Sequence, residues 1–150
     1  MATGDVSWFD QALVDIGDGV IDMGGSILLG LCTDVVTPTA ATSAPCWGAG
    51  GSTNMSTNQV ATATAYTGPI TLGSPAWTLA SGKAKLDATD VTVAQDAGGF
   101  TNARWGILYD NGATNKNCIG WVDLGSDRSI VTGPLTITWN ASGILTIDQV

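Results

Sequence analysis

The chain of 150 residues has no histidine and no glutamate. Without His the commonest general base is missing, and with it the Ser-His-Asp and Cys-His arrangements of nucleophilic catalysis. Its three cysteines, Cys32, Cys46 and Cys118, are odd in number and show no CxxC spacing. That argues against a disulfide scaffold and a structural zinc site, and buried free thiols are expected instead. Charge is scarce as well: 12% of residues are charged, against about 25% in ordinary domains. The five cations, Lys83, Lys85, Arg104, Lys116 and Arg128, form no run, and the net charge is −8. Such a chain repels a phosphate backbone, so direct nucleic-acid binding is not expected. Long apolar runs are missing too. Residues 27–31 are far too few to cross a bilayer, and no membrane association is expected. Residues 1–5 lack the basic region of a secretory leader, so production in the cytoplasm is expected.

What is present is the vocabulary of strands and turns. Twenty residues are Gly, and every one of the 13 acids is Asp. Asp caps and turns better than it sustains helices. The length fits one domain, residues 1–150, able to bury roughly 70% of its unfolded surface. The expected fold is mainly β: an antiparallel β-sandwich or barrel-like domain with one short N-terminal helix.

Along the chain, residues 1–6 read as a polar arm. Ser7-Trp8-Phe9-Asp10 has the shape of a capping box, and Phe9, Ala12, Leu13 and Ile16 recur at helical spacing, which predicts a helix over 7–16 ended by Gly17. Residues 26–32 read as a buried strand. Residues 35–67, rich in Thr, Ala and Gly, read as a long loop that is functional or ordered by a partner. Trp47 in its middle reads as either an anchor for a partner or a side chain folded back on the core.

From residue 68 the pattern is regular. Ala80-Ser81-Gly82 joins two strands as a hairpin, and strands follow at 91–93, 103–109 and 119–124. The segments 134–139 and 143–147 read as two more, joined by Asn140-Ala141-Ser142. Leu135, Ile137 and Trp139 alternate with Thr136 and Thr138 at period two. Trp77, Trp105, Trp121 and Trp139 fall within strands and are expected in the core. Trp8 and Trp47 lie outside the regular region and are the better contact candidates.

The carboxylates match no catalytic spacing. Asp123 with Asp127, or Asp15, Asp18 and Asp22, could in principle pair for two-carboxylate chemistry, but turn and cap roles explain them better. Asp110-Asn111-Gly112 reads as a turn, since the twelve-residue calcium loop with its closing Glu is missing. No catalytic residue, metal or cofactor is expected.

Three segments together resemble a family of small bacteriophage virion structural proteins. They are Gly17-Asp18-Gly19-Val20-Ile21-Asp22, the block Ala103-Arg104-Trp105-Gly106-Ile107-Leu108-Tyr109-Asp110 with Ile119-Gly120-Trp121-Val122-Asp123-Leu124-Gly125, and the closing run from Leu135 to Leu145. The resemblance implies a virion component, of head or tail alike. One expectation is a capsid decoration, or cement, protein on the outer face of the phage head. It would stabilise contacts between capsomers, with the major capsid protein and its own copies (a dimer or trimer) as partners. Contact residues would be Trp8, Phe9, Trp47 and Met55. The other expectation is a tail, neck or fibre component, with exposed aromatics that bind glycans.

Overall fold

The computed structural model describes residues 5–148. Most of the expected arm, residues 1–4, lies outside the described residues, while Val6 is already in a strand. The elements in chain order are β1 (Val6–Trp8), α1 (Asp10–Gly17), β2 (Ile27–Cys32), β3 (Pro45–Cys46), β4 (Thr53–Asn54) with a 3-10 turn at Met55–Asn58, and β5 (Ile70–Thr71). Then come β6 (Ala76–Ala80), β7 (Lys83–Asp87), β8 (Val91–Val93), β9 (Ala103–Asp110), β10 (Cys118–Arg128), β11 (Leu135–Ile137) and β12 (Leu145–Asp148). The fold is mainly β with one short α-helix among the described residues, as the composition requires.

A five-stranded sheet in the order β1-β10-β9-β2-β5 forms the centre. Every pairing in it is antiparallel. The sheet is open, with β1 and β5 as its edges, so it does not close into the barrel that the strand spacing also allowed. Smaller sheets pair β11 with β8, and β12 with β7 and β6. β2 and β9 are buried almost throughout, because both faces of the sheet are covered. A near-continuous apolar run is the sequence form of such a strand.

Register assigns the residues to faces. Gly30, Ile107 and Trp121 share one row, as do Cys32 and Trp105, and Leu28, Tyr109 and Cys118. Leu29, Leu108, Gly120 and Trp8 lie on the opposite face. The first face is covered by the segment read as a loop. Trp47 stacks on Tyr109 with ring centroids 5.3 Å apart and planes 2° apart. Phe9 packs on Trp121 at 4.8 Å. The Cys32 thiol donates to the Met55 carbonyl at 3.5 Å.

Four expectations need correction. Ser7 does not cap a helix. It is held in β1 opposite Trp121, so the helix starts at Asp10 with Phe9 as N-cap and no side-chain cap bond. The buried face of the helix differs too: Leu13 is 46% exposed, while Asp15 is buried where Gln11 and Asn117 donate to its carboxylate. Residues 35–67 are not structureless. The backbone bonds Thr33 N–H to Asn58 O, Val60 N–H to Leu31 O and Trp47 N–H to Lys116 O fasten them to the sheet. Finally, residues 134–139 and 143–147 do not form a hairpin, since β11 pairs with β8 and β12 with β7.

Candidate functional site

The four expected contact residues separate. Phe9 and Met55 are sealed, at 0% and 2% exposure, and Trp47 keeps 7%. Each packs on the first sheet face and offers almost no surface to a partner. For Trp47 the physical reason lies in Gly30. A Cβ there would meet the Trp47 ring at 2.1 Å, so the glycine opens the floor on which the indole lies. Of the two readings of Trp47, the folded-back one is observed. Trp8 is only partly buried, on the other face, and its indole N–H donates to the Thr146 carbonyl at 3.3 Å. It lines an open groove of about 410 Å³ with Asp5, Val6, Asn140, Ile144 and Thr146.

Trp105, Trp121 and Trp139 are core residues, and Trp77 packs half-buried against the core. Trp139 is fixed at both nitrogens: its backbone N–H donates to Asp90, and its indole N–H donates to the Thr89 carbonyl, each at 3.0 Å.

Several carboxylates serve the chain's own backbone. Asp110, 2% exposed, accepts from the N–H of Asp22 at 2.8 Å and of Gly112 at 2.7 Å, which makes Asp110-Asn111-Gly112 a turn. Asp96 accepts from Ala65 N–H and Gly98 N–H, and these backbone bonds hold its carboxyl below the ordinary range. Burial pushes the Asp123 carboxyl up. The fork from Arg104 at 3.0 and 3.1 Å and the Gly125 N–H outweigh that, so it ends below the ordinary range. Among the described residues no group of three or more His, Cys, Asp or Glu side chains could hold a metal.

All three cysteines are free and buried. Burial alone pushes the Cys32 thiol up to about 12. It also raises Cys118 well above an ordinary thiol, with Cys46 and Cys32 adding to it. Nucleophilic chemistry needs the thiolate, and these sites suppress it.

Residues that the sequence reading missed lie outside. Leu79 is 80% exposed, Val35 74%, and Val14, Val20 and Val36 between 42% and 55%. Asp10 N–H donates to the Ala40 carbonyl, which ties α1 to the segment that follows Val35 and Val36. The signal for Val35-Val36 was their place beside Asp34 in a turn, where no strand face can bury them. Among the described residues no helix is long and apolar enough to cross a membrane. Comparison with family models, with curated protein sequences and with solved structures found no match to this chain.

Proposed function

We propose that this chain is a bacteriophage capsid decoration protein, binding the outer face of the head and bracing contacts between capsomers. The observation that carries the reading is the division of its side chains. Four of its carboxylates, Asp15, Asp96, Asp110 and Asp123, are spent on hydrogen bonds within the chain itself, Asp123 in an ion pair with Arg104. Large apolar side chains are left outside on α1 and the turn after β2. A domain with exposed apolar side chains and no assembled reactive group among its described residues suits binding. The motif resemblance in β9, β10 and the closing run supports a virion setting for that binding. Many equivalent sites on a shell would multiply a weak contact into a large gain for the assembly.

The contact residues are accordingly reassigned. Leu13, Val14, Val35 and Val36 take the place of Phe9, Trp47 and Met55, whose surfaces the core consumes. The test is the mass ratio of this chain to the major shell protein in purified particles. One copy, or a simple fraction, per shell subunit is the expected result. A handful of copies per particle would overturn it and move the protein to the tail or neck.

A further inference from the structure

The three-stranded sheet β12-β7-β6 has an edge that no other strand covers among the described residues. β6 reads Ala76-Trp77-Thr78-Leu79-Ala80: five residues with no charge and no proline. Exposed edges normally carry charge, a bulge or very short strands, because open N–H and C=O groups template further pairing. Other edges here follow that rule. β5 has two residues and β1 three, and β12 carries Asp148 and has its Thr146 carbonyl taken by Trp8. β6 is the longest edge strand among the described residues and has none of these protections.

The hairpin fixes which backbone groups are open. Ser81 and Gly82 both have positive φ, 52° and 80°. That is a two-residue type I′ turn, whose flanking pair, Ala80 and Lys83, is hydrogen-bonded. Alternation then directs the backbone groups of Ala76, Thr78 and Ala80 at β7. The N–H and C=O of Trp77 and Leu79 point out of the edge.

The side chains fit the same edge. Trp77, Leu86 and Leu145 form one row across the sheet, and Leu79, Ala84 and Ile147 form the next row on that face. Leu86 and Leu145 are buried, whereas Leu79 is 80% and Ile147 37% exposed. The apolar face therefore runs past the core as an overhang.

We infer that two copies of this chain pair antiparallel along β6. With the two-fold axis at Thr78, Trp77 lies opposite Leu79 of the second copy, and Leu79 opposite its Trp77. The outward backbone groups of these residues then exchange hydrogen bonds. The apolar overhangs join on one face, and Thr78 meets Thr78 on the other. Such self-complementarity is what a two-fold interface demands. Charge is compatible with the same edge. The sheet carries Lys83 paired with Asp148 and Lys85 paired with Asp87, so it is formally neutral. The chain's net charge of −8 therefore resides on the remainder. Two acidic molecules can meet here with no net charge on either facing sheet. The inference does not depend on the shell-binding reading.

The experiment is the solution mass of the chain over a dilution series, with three variants. Twice the 15.2 kDa of one chain is expected at about 100 μM, falling toward one chain on dilution. Leu79→Lys alters an exposed side chain, so the fold persists, and it should raise the dissociation constant at least about tenfold. Thr78→Cys should cross-link two chains on oxidation, since facing Cβ atoms would sit about 5 Å apart. Thr146→Cys, exposed on the same sheet but at the opposite edge, should not. A single-chain mass at every concentration, or a trimer, would overturn the inference. So would a dimer that Leu79→Lys leaves intact and Thr78→Cys fails to cross-link.

Discussion

At Gly30 one missing Cβ decides whether the segment 35–67 can close on the sheet. The Trp47 ring lies where that Cβ would be, and Tyr109 stacks against the indole. The backbone of β2 cannot draw back from the indole, because β2 pairs on both sides at Leu28 and Leu29, next to Gly30. Gly30→Ala should therefore cost about 3 kcal/mol, the upper end of the usual range for overpacking a core. A urea midpoint unchanged from the wild type would contradict this account. The thiols make a second residue-scale case. Cys32 ionises near 12 in the fold and near 9 in a free chain. The folded state thus holds its proton more tightly, and that contribution is intact below pH 9 and is lost as pH rises toward 12. By pH 10.5 this thiol alone should remove about 2 kcal/mol, at 1.36 kcal/mol for each unit above 9. Urea titrations at pH 8 and pH 10.5 measure it, and Cys32→Ala should flatten part of the difference.

Among the elements, those written in local pattern were the legible ones. The strand over 26–32, the hairpin about Ser81-Gly82 and the strands at 103–109 and 119–124 could be read directly, because periodicity and turn residues sit side by side in the chain. What could not be read was which strand pairs with which. Asn140-Ala141-Ser142 looks like a hairpin turn, yet Gly143 N–H closes it on Asn140 O and the chain crosses to another sheet. Phe9, Trp47 and Met55 were misplaced for the same cause: their partners Trp121, Gly30 and Cys32 are distant in sequence, and nothing local announces them. The hairpin itself offers a direct test. Ser81 stands at φ 52°, a conformation Asn adopts more readily than Ser. Ser81→Asn should stabilise the chain by about 0.5 kcal/mol, and Gly82→Ala should destabilise it by about 1 kcal/mol. Thermal melts of the pair with opposite shifts would bear out the turn type, and shifts of the same sign would refute it.

For the molecule as a whole, the central fact is that the segment poorest in core-forming residues is held by a few large ones. Trp47, Met55, Val60 and Tyr66 are each buried to within a few per cent, and between them run Thr, Ser, Ala and Gly with little to pack. Tyr66 also accepts the Leu31 N–H at its hydroxyl, so the end of the segment is locked to β2 by a polar bond as well as by burial. The segment and the central sheet should therefore open together. In the wild type, protease should find residues 37–58 no more susceptible than the rest of the chain. Trp47→Ala removes the indole that fills the space over Gly30 and should cost about 3–5 kcal/mol. If the chain still folds, cleavage should fall first within residues 37–58, and hydrogen exchange at Thr33 and Val60 should speed up with it, because their bonds bind the segment to β2. Should those amides stay protected while the segment is cut, the strap would be an independent appendage. Its order would then have to come from its own backbone bonds, not from the sheet it covers.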